Sequence, residues 1–196
     1  MVTVDACFDC NNSKSKDDVY VRDFLLADMA SQDSPAAHVL WAEKFFRSIE
    51  TNRSEIARAV MSDASPEAVF SPQGDYLGHA LSVPVERARL DRAFSLMVRG
   101  LWYHVWKELM PFDCKFDVYM MGRFVVVEAW EEMAQAGASL GVIKPDVFAC
   151  QYLTDADYPF LSRWLLLFYG VTITELYTIP NGLDFSPRRK VLPTPR

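Results

Sequence analysis

Apolar residues recur at helical spacing along most of the first 110 residues. In residues 17–31 they share one face, and two aspartates occupy the first turn, where the helix dipole favours acids. Pro35, preceded by Asp-Ser, marks the start of a second helix. This helix either continues to Met61 or breaks near Thr51, where the sequence TNRSE provides a new cap.

The clearest helical pattern is VERARLDRAFSLMVRGLWYHVWKELMP, residues 85–111. Its apolar positions form two adjoining stripes. These are Phe94, Met97, Leu101 and Val105, with Val98, Trp102, Trp106 and Leu109 beside them. Pro111 is expected to end the helix. The segment before it, residues 65–84, holds three prolines and two glycines without a period and predicts a long loop with a short strand or two.

After Pro111 the period changes to that of strands. FDVYMM alternates, VVVEAWEEMAQAG predicts a helix that ends at Gly137, and three β-branched and aromatic runs follow. These runs are DVFACQYL, FLSRWLLLFYG and VTITELYTI. The prediction is an α+β fold, in which a helical N-terminal two-thirds packs on one face of a small C-terminal antiparallel sheet.

The chain of 196 residues divides into three predicted segments. Residues 17–180 form a single α+β domain, residues 1–16 are a separate N-terminal motif, and residues 181–196 are a flexible basic tail. The tail holds Arg188, Arg189 and Lys190, which are interpreted as solubilising residues; contact with nucleic acid or with an acidic partner is the alternative. We predict no membrane partner and a cytoplasmic location, because no apolar run is long enough to span a bilayer.

Charge limits the surfaces that could bind nucleic acid. The net charge is −6, and four of the 20 basic residues lie in the last ten positions, so the body is more acidic than the whole chain. Each phosphate contact needs a Lys or Arg to displace counterions. A broad basic face is therefore excluded, whereas local binding is not.

Cysteine spacing provides the main chemical signal. Cys114 and Cys150 stand alone in apolar surroundings, which predicts two small buried side chains. Cys7 and Cys10 form a CxxC pair, for which half of a zinc site, a redox pair and coincidence are the alternatives. Zinc commonly takes four protein ligands in structural sites. The other two would have to come from scattered residues, namely His38, His79, His104, Cys114 and Cys150. The only cofactor prediction is thus a structural zinc in an incomplete site.

The residues after the CxxC extend the motif. Cys7, Cys10, Asn11 and Lys14 form C-x-x-C-N-x-x-K after a short strand-like segment. This pattern resembles the second half of the motif of HNH-type nucleases, over residues 1–14. VRGLWYHVWKELMP also resembles a helix of uncharacterised bacterial proteins with an HNH-like N-terminus. The resemblance implies that Cys7 and Cys10 belong to a structural zinc site, and that Asn11 and Lys14 are candidate catalytic residues.

The resemblance also implies parts that this chain lacks. In the family, a second CxxC and the catalytic histidine of a D-H pair precede the matched segment, and a divalent metal assists cleavage. We therefore expect an HNH-endonuclease-like, nucleic-acid-associated protein without a complete catalytic site, with DNA as its partner. One hypothesis is that Met1 is an internal residue of a longer ancestral reading frame. Genomic sequence directly upstream without an in-frame CxxC and D-H would disprove it.

Two alternatives remain open. One is a non-catalytic interaction domain, with homo-oligomerisation and a vestigial CxxC. The other is an enzyme centred on His104, the best lone general base by type, although a partly buried and hydrogen-bonded histidine is the preferred interpretation. Glu128, Glu131 and Glu132 are interpreted as an exposed acidic helix face. No nucleotide cofactor is expected, because the glycine-rich phosphate-binding motifs are absent from the sequence.

Overall fold

The computed structural model describes residues 8–28, 34–51, 54–71, 73–121, 126–144 and 146–184, with the backbone alone for residues 8–14. The helices are α1 (Phe8–Ala27), α2 (Pro35–Leu40), a π-helical turn (Trp41–Phe45), α3 (Phe46–Glu50), α4 (Glu55–Ser62), α5 (Arg87–Trp106) and α6 (Val126–Gln135). The strands are β1 (Ser65–Phe70), β2 (Tyr76–Ser82), β3 (Lys115–Met121), β4 (Ser139–Lys144), β5 (Phe148–Thr154), β6 (Ser162–Phe168) and β7 (Thr172–Ile179). The α+β class is confirmed.

Serine N-caps fix the start of α2 and the start of α4. The Ser34 hydroxyl accepts the Ala37 N–H at 3.4 Å, and the Ser54 hydroxyl accepts the Ala57 N–H at 3.0 Å. A serine at the N-cap satisfies one of the free N–H groups of the first turn. The break near Thr51 is therefore confirmed, and the continuous helix to Met61 is wrong.

Helix α1 starts at Phe8, nine residues before the predicted start, and ends at Ala27. The boundary predicted between residues 16 and 17 thus falls inside one helix, which the N-terminal motif and the domain share. The strand expected before Cys7 lies outside the described residues, as do residues 185–196 of the predicted tail.

Helix α5 ends earlier than the sequence predicts. Lys107 takes a left-handed conformation, φ 58°, and its N–H bonds the Tyr103 carbonyl, so the helix stops before Pro111 is reached. The buried stripe is also displaced from the predicted one. It consists of Leu90, Ala93, Phe94, Val98, Leu101 and Trp102. Val105 and Leu109 are exposed.

The main sheet is larger than the predicted meander. Strands β4, β5, β6 and β7 follow one another as antiparallel neighbours, and β3 adds to the far edge beside β7. Tyr169 and Gly170, both with positive φ, form the tight turn from β6 to β7. Strand β4 was missed because Gly141 weakens its strand pattern. Gly141 lies opposite Cys150, where an added Cβ would come within 3.0 Å of the thiol sulfur.

The sheet is covered on both faces, which corrects the prediction of helices on one face. Along β6, Trp164 and Leu166 belong to the cluster that contains Phe94 of α5. Leu165 points to the opposite face and packs with Met133 of α6. Continuous apolar runs such as WLLLF, residues 164–168, are typical of strands buried on both sides.

An ion-pair network lies on the α6 face of the sheet. The Arg163 guanidinium donates to Glu175 at 2.6 Å and to Glu132 at 2.8 Å, and the Tyr177 hydroxyl donates to Glu175 at 2.8 Å. Burial opposes the charge of Arg163, but the two carboxylates outweigh it and raise its pKa. Burial, followed by the charge of Glu175, raises the pKa of Tyr177. Glu132 therefore has a cross-element partner, while Glu128 and Glu131 are exposed as predicted.

Arg99 holds the connection between α5 and β3. Its guanidinium donates to four backbone carbonyls, with N···O distances from 2.8 to 3.4 Å. The carbonyls belong to Met110, Pro111, Phe112 and Cys114. The same guanidinium lies 4.9 Å from the centre of the Phe116 ring. Burial lowers the pKa of Arg99 from its ordinary value.

Residues 65–82 form a hairpin where a loop with a strand or two was predicted. Strands β1 and β2 pair with each other from Ser65–Ser82 to Phe70–Tyr76 and make a sheet separate from the main one.

Across the described part of the chain, none of the helices has the length and apolar character needed to cross a membrane.

Candidate functional site: a basic groove between α1 and α3

The N-terminal motif falls mostly outside what the structure describes. Cys7 lies outside the described residues. Cys10, Asn11 and Lys14 lie in the first two turns of α1, where the backbone alone is described. The metal and catalytic roles predicted for these residues, and the zinc itself, stay predictions.

His104 lies exposed on the last turn of α5. The expectation of a partly buried, hydrogen-bonded histidine is wrong, because its ring makes no hydrogen bond with any described residue. A cation is favourable at this helix end, since the dipole is negative there. A catalytic role for His104 stays a prediction, and the structure places no described nucleophile or acid in hydrogen-bond contact with it.

The other proposed zinc ligands lie in different parts of the fold. His38 is exposed on α2, and the His79 ring is bonded to the Tyr76 hydroxyl at 2.6 Å. Cys114 and Cys150 are buried in the core, as predicted. Within the described ranges, His, Cys, Asp and Glu side chains form no group of three that could hold a metal ion.

Cys150 is predicted to be an unreactive thiol. Burial raises its pKa to about 11. Since the thiolate is the nucleophile, a pKa of about 11 in place of 9.0 lowers the fraction of thiolate at neutral pH by about 100-fold. We expect iodoacetamide to alkylate Cys150 about 100-fold more slowly in the native protein than in urea, as measured by mass spectrometry of its peptide. Equal rates in both states would contradict its burial in the core.

A groove lies between α1 and the helix that runs through α2, the π-helical turn and α3. Its volume is ≈ 700 Å³. We call it the basic groove. Its lining residues are Ser15, Lys16, Val19, Tyr20, Arg22, Asp23, Lys44, Arg47, Ser48, Thr51, Glu55 and Arg89. Five of them are cations and two are carboxylates, so the lining is positive although the whole chain has a net charge of −6.

Helical spacing brings these residues together. On α1 the lining positions run 15–16, 19–20 and 22–23, which is one face of a 3.6-residue period. On the opposite wall Lys44, Arg47, Ser48 and Thr51 follow the i, i+3, i+4, i+7 pattern. The Arg22 guanidinium crosses the groove and donates to the Ser48 hydroxyl at 3.0 Å.

Ion pairs with α5 hold the first wall in place. The Asp17 carboxylate accepts from Arg89 at 2.9 Å and from Arg92 at 3.1 Å. Burial alone would raise the pKa of Asp17, but these two arginines together lower it. The Arg89 guanidinium also lies 4.2 Å from the centre of the Tyr20 ring, whose hydroxyl accepts the Glu86 N–H at 2.6 Å. The α1 wall of the groove is therefore held in position before any ligand binds.

The cations of the groove divide into paired and unpaired ones. Arg22 donates to the Asp23 carboxylate, which is 1% exposed, and Arg89 binds Asp17 and Glu55. The other three are Lys16, Lys44 and Arg47. Their side chains are exposed and form no hydrogen bond or ion pair with a described residue. They are free to bind an anion.

The second wall contains a local irregularity. Lys44 lies in the π-helical turn Trp41–Phe45, between α2 and α3. A π turn has one more residue than an α turn and is found frequently at functional sites. Here it sets the angular position of Lys44 relative to Arg47.

Comparison with known proteins adds no relative. No protein-family model matches the chain, and no curated protein or solved structure matches it.

The sequence did not predict the groove, because its cations are spread over three helices. The signal that could have found it is K-x-x-R-S-x-x-T at residues 44–51, which places two cations and two hydroxyl side chains on one helical face.

Proposed function

We propose that the protein is a nucleic-acid-associated protein whose basic groove binds the phosphate backbone of DNA. The observation that carries this proposal is a set of three exposed cations on two facing helices, Lys16 on α1 and Lys44 and Arg47 opposite, none of which has an ion-pair partner among the described residues. Lysine and arginine neutralise phosphates by releasing counterions, which supplies most non-specific affinity. The Ser48 hydroxyl lies beside them, accepts from Arg22 and keeps its own O–H to donate to a phosphate oxygen.

The proposal includes the HNH-type relationship. Asn11 and Lys14 belong to the first turns of α1, and the next turns of the same helix form one wall of the basic groove. A strand of DNA that runs along α1 would pass both the turns that hold Asn11 and Lys14 and the wall of the basic groove. The proposed role is binding without catalysis by this chain, and cleavage would require an upstream HNH half.

Three free cations predict weak, salt-dependent binding. With about three phosphates neutralised, log Kd should change with log salt with a slope of roughly 2.7. A labelled duplex of about 20 base pairs, titrated by fluorescence anisotropy from about 50 to 200 mM salt, measures this slope. A wild-type protein that does not bind at the lowest salt would overturn the proposal.

Reversing two groove charges should remove most of this binding. We expect K44E/R47E to bind the duplex about 10- to 100-fold more weakly at 50 mM salt and to lower the slope by about 1.8. Both side chains are exposed, so the fold should be retained. The matched control is K107E/K144E, which changes the net charge equally at exposed positions outside the groove. Equal losses for both pairs would mean that general charge, and not the groove, binds DNA.

A further inference from the structure

The β1–β2 hairpin stands apart from the rest of the described fold. Its strands form a two-stranded sheet of their own, and their packing is almost entirely on each other. An isolated two-stranded hairpin is marginally stable in water and usually needs another layer or strand. The hairpin therefore has an uncovered surface that the described chain does not fill.

One face of the hairpin is apolar and aromatic. Phe70 and Tyr76 are each 55% exposed and Leu81 is 63% exposed. The Phe70 and Tyr76 rings meet edge to face with centroids 5.8 Å apart, and the Tyr76 ring meets that of His79 at 5.6 Å. Contiguous exposed apolar side chains of this kind mark interaction surfaces more often than scattered ones do.

The charges of the hairpin exclude DNA as its partner. Residues 65–85 contain no lysine or arginine. Glu67 pairs with Ala80, whereas Ala68 pairs with His79, so Glu67 lies on the face opposite the aromatic one. Asp75 is held in the turn, where its N–H and carboxylate bond the Ser71 hydroxyl at 3.0 and 3.3 Å. The aromatic face carries no carboxylate and no lysine or arginine.

We infer that the hairpin is a dimerisation arm and that its partner is the hairpin of a second copy of this chain. An uncharged apolar face is complementary to itself, because a two-fold axis brings apolar groups onto apolar groups without repulsion between like charges. Glu67 points away from the shared interface in both copies. The outer edges of β1 and β2 are unpaired in the described fold and can add strand pairing.

The size of the face predicts a weak dimer. Half-exposed aromatic and leucine side chains of this number offer on the order of 400 Å² per copy. Two copies would bury roughly 800 Å², below the 1,000 Å² or more of stable complexes. We therefore expect a weak dimer whose formation depends on protein concentration in the micromolar range.

Sedimentation velocity of the full chain from about 5 to 300 μM tests the inference. The wild-type protein should shift from monomer to dimer within this range. Ala68→Arg places a like charge on both aromatic faces and should leave a monomer throughout, whereas Glu67→Ala on the opposite face should dimerise as the wild type does. A wild-type monomer at the highest concentration, or dimerisation of both variants, would overturn the inference.

A second measurement separates loss of the interface from loss of the hairpin. In a variant with all four native cysteines replaced by serine, Ala68→Cys should form an intermolecular disulfide on mild oxidation, and Glu67→Cys should form much less. Equal cross-linking at both positions would rule out a dimer that uses the aromatic face. Neither test involves the basic groove, so the result is independent of DNA binding.

Discussion

Replacing Arg163 with methionine is expected to lower the free energy of unfolding by about 3–5 kcal/mol. The side chain of Glu175 is 10% exposed and accepts hydrogen bonds from Arg163 and Tyr177. Without the guanidinium, its charge would remain buried with one neutral donor. Removing one partner of a buried ion pair lowers the stability of the fold for this reason. Urea denaturation followed by circular dichroism measures the change.

A double-mutant cycle distinguishes the ion pair from simple packing. R163M/E175L removes both charges and should recover most of the lost stability, because apolar side chains of similar volume often replace a buried pair at little cost. Glu132→Gln should cost less than about 1 kcal/mol, since Glu132 is 64% exposed and solvent screens its charge. If R163M/E175L is no more stable than R163M, the buried charge of Glu175 is not the cause.

Much of the fold could be predicted because, in these elements, the local sequence pattern and the tertiary contacts favour the same secondary structure. Pro35 with its preceding serine gave the start of α2, and the meander followed from three apolar runs separated by turn residues. Burial on both faces, however, makes the run from Trp164 to Phe168 of β6 apolar at every position. From Trp164 onward, therefore, the strand carries no alternation to show that α6 covers one side and α5 the other.

The candidate site could be predicted far less well. The sequence drew attention to Cys7 and Cys10, whereas the groove depends on how α1 and α3 pack side by side. That arrangement depends on long-range contacts, namely the bond from Arg22 to Ser48 across the groove and the pairs of Asp17 that hold α1 against α5. The π-helical turn that positions Lys44 has no sequence signature. The net charge of the chain is negative, so composition alone does not predict a positively charged groove.

The end of α5 shows the same dependence on a distant contact. Pro111 was expected to terminate the helix, yet the chain leaves it at Lys107 and is then held by Arg99 from within the helix. The guanidinium has five donors in one plane and can bind several carbonyls at once. No carboxylate is in hydrogen-bond contact with it among the described residues, so its partners are the carbonyls of the turn and the ring of Phe116.

Arg99→Ala should therefore lower the free energy of unfolding by about 2–4 kcal/mol, because carbonyls that are partly buried lose a charged donor. Arg99→Lys should be intermediate, since a lysine ammonium keeps the charge but cannot reach all four carbonyls in one geometry. Arg92→Ala, at a side chain 58% exposed on the same helix, should cost less than about 1 kcal/mol. The urea midpoints of the three variants decide the matter. If Arg99→Ala were as mild as Arg92→Ala, water would have to replace the guanidinium at the turn, and the approach of β3 to α5 would not depend on Arg99.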